Sequence, residues 1–499
     1  MPPRARVSRS RLALPLVADG EPAAPSPGRP KPKKAAPRSR TLSAEALEQL
    51  GARRLAELLM AQAQGDAALA RTLRLALAGM DGSGRLATEV EKRLRTIGRS
   101  RGFIEWDKLR PLARELDGLR ETIAGSLAAA DPRAAVAQMR LLLGLTGNVF
   151  ERSDDGSGAL GEVFRQAGAD LGRLWALLPG RDPLMLAREV LALWDADGYG
   201  ETDRLLEAAA PALGSEGRAE LRRLLETRLA AQPRSRMSDA FEGWQGRFQI
   251  SFRLRDLADL EGDVDGYITA VEAGGRAENF ACEIAERLIA RGRPEEALAW
   301  LDRPSDWQES EAIRRTDLRI AALEALGRHE EAQALRWDAF GRWLTPQHLR
   351  PYLRALPDFD DVEAEEQAMA HALAHADRNL ALSFLTGWPR LDAANRLVRA
   401  HHEEMDGRDY GRLRPAAEAL AERYPAAATL LHRALAEDVL RRASSRQYTY
   451  AVRDIRSCIS LAPLLPTEPD LESHEMFLAR LRREHGRKAG FWALLEDGS

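Results

Sequence analysis

The side chains best suited to chemistry are carboxylates gathered in turns. Glu261-Gly262-Asp263-Val264-Asp265-Gly266-Tyr267-Ile268-Thr269-Ala270-Val271-Glu272 follows the EF-hand loop, with carboxylates at positions 3, 5 and 12, Gly at 6 and Ile at 8. Such oxygens suit a hard cation, calcium, held by Glu261, Asp263, Asp265 and Glu272. Position 1 is Glu, however, one methylene too long for a tight loop, and the exit Ala273-Gly274-Gly275 is a poor second helix. The expectation is a capped turn between helices, without metal. A second acidic turn runs from Asp195 through Asp197, Tyr199 and Glu201 to Asp203. It puts Tyr199 at a ligand position and Leu206 where the closing Glu belongs, and so reads as a polar loop.

Asp154 and Asp155, beside Glu151 and Arg152, are of the types that do acid/base or metal work. The plainer expectation is a loop with a helix cap and an arginine ion pair. Gly156-Ser157-Gly158-Ala159-Leu160-Gly161 fits the dinucleotide fingerprint, which needs an apolar strand before it. Acidic residues stand there instead and would repel a pyrophosphate. His371 and His375 lie four apart on a predicted helix and could hold zinc if a third ligand arrived; His401-His402-Glu403-Glu404 is similar. Neither a Walker loop nor a G-x-S-x-G elbow occurs. Cys282 and Cys458 are the only cysteines, which excludes a disulfide scaffold and a Cys-rich zinc module. Cys282, among apolar helical residues, reads as a core thiol. No catalytic residue and no cofactor is assigned.

Partner contact is a different chemistry. Trp300, Trp307, Trp337, Trp343 and Trp388 cluster in the second half and are either packing residues or groove anchors. Arg480-Leu481-Arg482-Arg483-Glu484-His485-Gly486-Arg487-Lys488, with Arg441, Arg442, Arg446, Arg453 and Arg456, makes residues 441–488 basic ahead of Phe491 and Trp492. That pattern could grip nucleic acid; the plainer expectation is an amphipathic closing helix with Phe477, Leu478 and Leu481 inward.

The elements that must position these groups are helical. The chain has 499 residues, 44% hydrophobic and 30% charged, with a formal charge of −3. That is enough apolar surface for a large core and no strong field to select a partner. Arg outnumbers Lys 67 to 6, and Ala, Leu, Arg and Glu, all strong helix formers, dominate. Phe248-Gln249-Ile250-Ser251-Phe252 alternates like a strand but continues through Leu254 and Leu257 as a helix. Residues 1–40 hold nine of the 26 prolines and ten Arg or Lys, which argues for a disordered basic tail. Neither a secretory leader nor a membrane span is read. Order begins at Thr41-Leu42-Ser43-Ala44-Glu45, with Leu47, Leu50, Leu55, Leu58 and Leu59 at helical spacing. The polar stretch Gln232-Pro233-Arg234-Ser235 divides two helical halves.

The second half repeats. Arg291-Gly292-Arg293-Pro294-Glu295-Glu296-Ala297 returns 35 residues later as Leu326-Gly327-Arg328-His329-Glu330-Glu331-Ala332, close to the tetratricopeptide period of ~34. Related turns stand at Glu261-Gly262-Asp263, Asp406-Gly407-Arg408 and Ser444-Ser445-Arg446.

The strings Phe150-Glu151-Arg152-Ser153-Asp154-Asp155, Glu261-Gly262-Asp263-Val264-Asp265, Leu356-Pro357-Asp358-Phe359-Asp360-Asp361-Val362-Glu363-Ala364-Glu365-Glu366 and His485-Gly486-Arg487-Lys488 resemble an uncharacterised bacterial family, a domain of unknown function common in alphaproteobacteria. The resemblance covers everything but the tail. Its C-terminal half also resembles the helical region of some SWIM zinc-finger proteins, although the zinc finger itself is missing. It implies a fold and no catalytic residue.

The combined expectation is an all-α chain: a disordered tail (1–40), an N-terminal helical region (41–235) and a tetratricopeptide-like superhelix of helical hairpins (236–499). Its expected role is a cytoplasmic, non-catalytic scaffold for a protein or peptide. Trp300, Trp307, Trp337, Trp343, Arg487 and Lys488 are the candidate contacts. The alternatives are nucleic-acid association through residues 1–40 and 441–488, and a hydrolase-type enzyme using the acidic residues of the 151–155 loop.

Overall fold

The computed structural model describes residues 43–232, 241–275, 277–304, 309–465 and 471–496. The expected tail, Trp307 and most of the polar stretch proposed as a boundary lie outside them. Among the described residues there is no strand; the one extended pairing is an isolated bridge between Ile104 and Ser153. Phe248–Phe252 lies within the helix Phe241–Glu261, as its continuation through Leu257 predicts. Helix starts follow local chemistry. Ser43 accepts from the Ala46 amide at 3.2 Å, and Asp131 and Asp182 each cap a helix whose first residue is proline.

The N-terminal helices pack around Ala159–Ala176, which is buried along most of its length through residues such as Leu160, Phe164, Leu171 and Trp175. This core takes in Val90, Leu94 and Ile97 early on and continues through Leu254, Leu257 and Ala270. From there the apolar interior is a succession of clusters, each filled by helices adjacent in sequence. One centres on Ile284, Leu288 and Trp300, a later one on Phe340, Leu385 and Leu397, and the last on Ile455, Phe477 and Phe491. Burial against sequence neighbours is the packing of a helical-repeat superhelix.

The hairpin turns show the repeat directly. Gly262, Gly292 and Gly327 all take left-handed φ, at 64°, 70° and 71°. After each, an amide reaches back across the turn: Asp263 to Ala258 at 2.8 Å, Arg293 to Leu288 at 2.8 Å, and Arg328 to Leu323 at 2.9 Å. This is the Schellman closure that satisfies the last helical carbonyls. Arg390 makes the same bond to Leu385 at 2.9 Å, with Pro389 in the glycine position, so glycine spacing alone misses this turn. Near Ser444, the left-handed residue is Ala443. Gly407 is different: it follows a 3-10 segment, and a Cβ there would meet the Ala434 carbonyl oxygen at 2.6 Å.

The first helices depart from their apolar pattern. The spacing of Leu47, Leu50, Leu58 and Leu59 does mark the helices Ala44–Glu48 and Gly51–Gly65, but all four side chains are exposed. No described helix is long and apolar enough to cross a membrane.

Candidate docking groove

The acidic turns are occupied by the protein's own groups. Glu261 pairs with Arg218 at 3.2 Å and with Arg222, Asp265 pairs with Arg293 at 2.9 Å, and Glu272 faces Arg303 at 3.9 Å. Asp263 caps the next helix by accepting from the Gly266 amide at 2.9 Å. The four carboxylates are therefore divided among the protein's own cations, Glu261 and Asp263 sharing Arg222 while Asp265 and Glu272 face other arginines. Among the described residues, no three His, Cys, Asp or Glu converge as a metal would require.

Asp155 accepts from the amides of Ala159 at 3.0 Å and Gly161 at 2.9 Å. A carboxylate thus already fills the helix N-terminus that the glycine fingerprint would offer to a phosphate. Among the described residues Arg152 does not form the expected ion pair; it donates to the carbonyl of Gly102 at 2.9 Å and to Asn148. His371 Nε2 meets the Gly341 carbonyl at 3.0 Å, while His375 Nδ1 accepts from the Asp377 amide at 3.1 Å, so each imidazole is engaged locally. His401 pairs with Glu404 at 2.8 Å.

Of the tryptophans read as packing residues or groove anchors, the four that are described pack against neighbours. Trp300 closes an apolar cluster at 6% exposure. Trp337 is half-buried against Phe340, Tyr352 and His371, and Trp343 lies beside His348. Trp388 donates from Nε1 to Glu365 at 2.9 Å. At the C-terminus, Phe477 and Leu481 are buried as the amphipathic reading predicts, and Leu478 packs against the same cluster. Phe491 and Trp492 are buried with them, while Tyr450 is exposed. Arg442 pairs with Asp438, Arg453 with Glu418, Arg480 with Glu437 and Glu472, and Arg482 with Glu496. Arg487 is exposed and Lys488 half-buried.

Two arrangements go beyond the sequence reading, the first inside the acidic turn that it takes as a polar loop. Asp197 is a buried hub: it accepts from the amides of Tyr199 (3.1 Å), Gly200 (2.7 Å) and Thr202 (3.1 Å) and from the Thr202 hydroxyl, with Arg253 at 3.7 Å. Burial opposes its ionisation, but the hydrogen bonds from Glu201 and Thr202 and from these amides bring it down to about 2. The neighbouring Glu201 is pushed up to about 7, first by burial and then by its bond to Asp197. Such a split resembles a catalytic acid/base pair. Here the oxygens of Asp197 are consumed by the turn itself, so the pair acts as a staple.

The second is an open groove of about 1340 Å³ between the helices Ala67–Met80 and Trp106–Thr122, with Ser83–Arg99 contributing its floor. Glu115 ties the three together. It accepts from Arg93 Nη2 at 2.9 Å and pairs with Arg71 at 3.0 Å. Around this clamp stand Arg74, Lys92, Lys108 and Arg114, all exposed and, among the described residues, without an ion-pair partner. Leu69, Leu75, Leu112 and Leu119 supply apolar surface between them. Two of the chain's six lysines thus meet in one groove. Sequence could not show this, because each helix alone reads as an ordinary solvated face.

A solved structure titled "Circular tandem repeat protein with novel repeat topology and enhanced subunit contact surfaces" matches at 16% identity, covering 91% of this chain and 89% of that one, with a TM-score of 0.20. No curated protein matches. The model of a family of unknown function (DUF6880) matches residues 37–494, and the chain belongs to that family.

Proposed function

We propose that this chain is a non-catalytic, cytoplasmic interaction scaffold that docks a protein segment in the groove between Ala67–Met80 and Trp106–Thr122. The observation that carries the reading is the set of four cations, Arg74, Lys92, Lys108 and Arg114, which have no ion-pair partner among the described residues and stand between leucine-bearing walls. In a protein where arginines are so widely spent on internal carboxylates, cations left facing a cavity are available to a ligand. Asp155, one of the acidic residues on which the enzyme alternative rests, is spent on a helix N-terminus, which favours binding over catalysis. Carboxylates in the groove wall, Glu89 and Glu121, favour a peptide over a nucleic-acid backbone.

The test is affinity capture from native lysate with the wild type and with Lys92→Glu/Lys108→Glu, each with and without nuclease. The expected result is a stoichiometric protein that survives nuclease and is lost from the double variant. Partners that vanish with nuclease would overturn the reading in favour of the basic segments, 1–40 and 441–488. Partners indifferent to the double variant would remove the groove from it.

A further inference from the structure

One surface feature is the groove's complement. Phe359 is 85% exposed and Val362 is 62% exposed, at the start of the helix Asp360–Ala374. Phe359 holds φ 78°, in the left-handed region that a bulky side chain rarely enters. The backbone is therefore held in an unfavourable conformation that projects an aromatic ring into solvent. Asp358, Asp360, Asp361 and Glu363 surround it, all exposed and, among the described residues, without a cationic partner. Farther along the same helix, Glu365 and Glu366 meet Trp388 and Arg390, so the unpaired charge is confined to the knob.

We infer that this knob is the occupant of the groove, supplied by a second copy of the chain. The inference rests on the docking role proposed above and names the partner. Four exposed carboxylates around two exposed apolar side chains complement, in sign and apolar content, a groove whose four cations outnumber the wall carboxylates Glu89 and Glu121 and stand among leucines. Phe359 stands in solvent within its own chain, so its own groove does not receive it. Knob and groove are different surfaces, so the contact is head-to-tail and propagates into a ring or an open chain. A single small contact of this kind is concentration-dependent and weakens with salt.

Sedimentation velocity of the full chain over a concentration series, at low and high salt, tests this. The wild type is expected to associate at low salt. Lys92→Glu/Lys108→Glu and Asp360→Lys/Asp361→Lys are each expected to weaken association at least ~10-fold, about 1.4 kcal/mol. Mixing the two reversed proteins restores it, because each reversed surface then meets its complement and each native surface keeps one. Phe359→Ser weakens it without changing charge. All of these positions are exposed, and an unchanged thermal melt confirms folding. A wild type that stays monomeric, or reversed proteins that do not rescue one another, overturns the inference. If captured partners still depend on Lys92 and Lys108 while self-association fails, only the identity of the occupant falls. If self-association follows the swaps while no partner depends on the groove, docking of other proteins falls instead.

Discussion

Gly168 lies against the backbone of Glu201 so closely that a Cβ would overlap the Glu201 carbonyl oxygen. One turn on, a Cβ at Gly172 would sit 2.7 Å from the Ala209 amide nitrogen. The two glycines let the Ala159–Ala176 helix approach the 201–209 backbone to a distance no side chain permits. In an exposed helix, Gly→Ala gains roughly 0.5–1 kcal/mol. Here the obstacle is backbone, which cannot rotate away, and overpacking costs about 1–3 kcal/mol. Gly168→Ala should therefore destabilise the fold, whereas Gly118→Ala, with open space at its Cβ, should stabilise it slightly. Urea denaturation of the two variants decides the sign at each site.

The staple beside Gly168 gives a pH dependence. Glu201 titrates at about 7, above its ordinary 4.5, so the folded state holds its proton more tightly than the unfolded chain does. Its stabilisation is complete below 4.5 and is lost as pH rises through about 7. Asp197 runs the other way. At about 2 against 3.8, its contribution is complete above 3.8 and is lost as pH falls through about 2. Glu201→Gln keeps a neutral donor toward Asp197 and removes the upper titration. Between pH 5 and 7 the wild-type stability should fall relative to that of Glu201→Gln. Parallel stability curves for the two proteins would show that Glu201 is ionised in the fold throughout.

The repeat was legible because its signal is local. A left-handed helix end requires glycine more than any other position does, and Gly292 and Gly327 announce it in one dimension. Even the ion pairs recur: Arg293 to Glu296 and Arg328 to Glu331, both at 2.6 Å from Nε. Gly292→Ala and Gly327→Ala should each cost about 1 kcal/mol by straining a φ near 70°. Breaking either ion pair should cost distinctly less, since both are exposed and screened by solvent. Thermal melts of the four single variants compare the two effects. What sequence could not show was set by tertiary geometry. The Phe359 knob read only as part of an acidic string, because neither its exposure nor its backbone angle is a property of composition. The tryptophans were ambiguous for the same reason, since burial depends on which helix lies opposite.

Groove binding and groove stability should separate cleanly. Glu115 is largely buried and holds Arg71 and Arg93 from two other helices, so Glu115→Ala removes a shared acceptor and leaves two partly buried guanidiniums facing each other. A cost of about 2 kcal/mol is expected, between that of an exposed pair and the ~3–5 kcal/mol of a fully buried one. Lys92→Glu/Lys108→Glu touches only exposed cations that have no ion-pair partner among the described residues, and should stay within about 0.5 kcal/mol of wild type. Both variants should lose whatever the groove holds, the first because its three walls are no longer tied together and the second because its charge is reversed. Denaturation midpoints measured alongside capture distinguish the two causes. If Glu115→Ala lost stability yet kept full capture, the partner would be recognised by the free cations alone, and the shape of the groove would not matter.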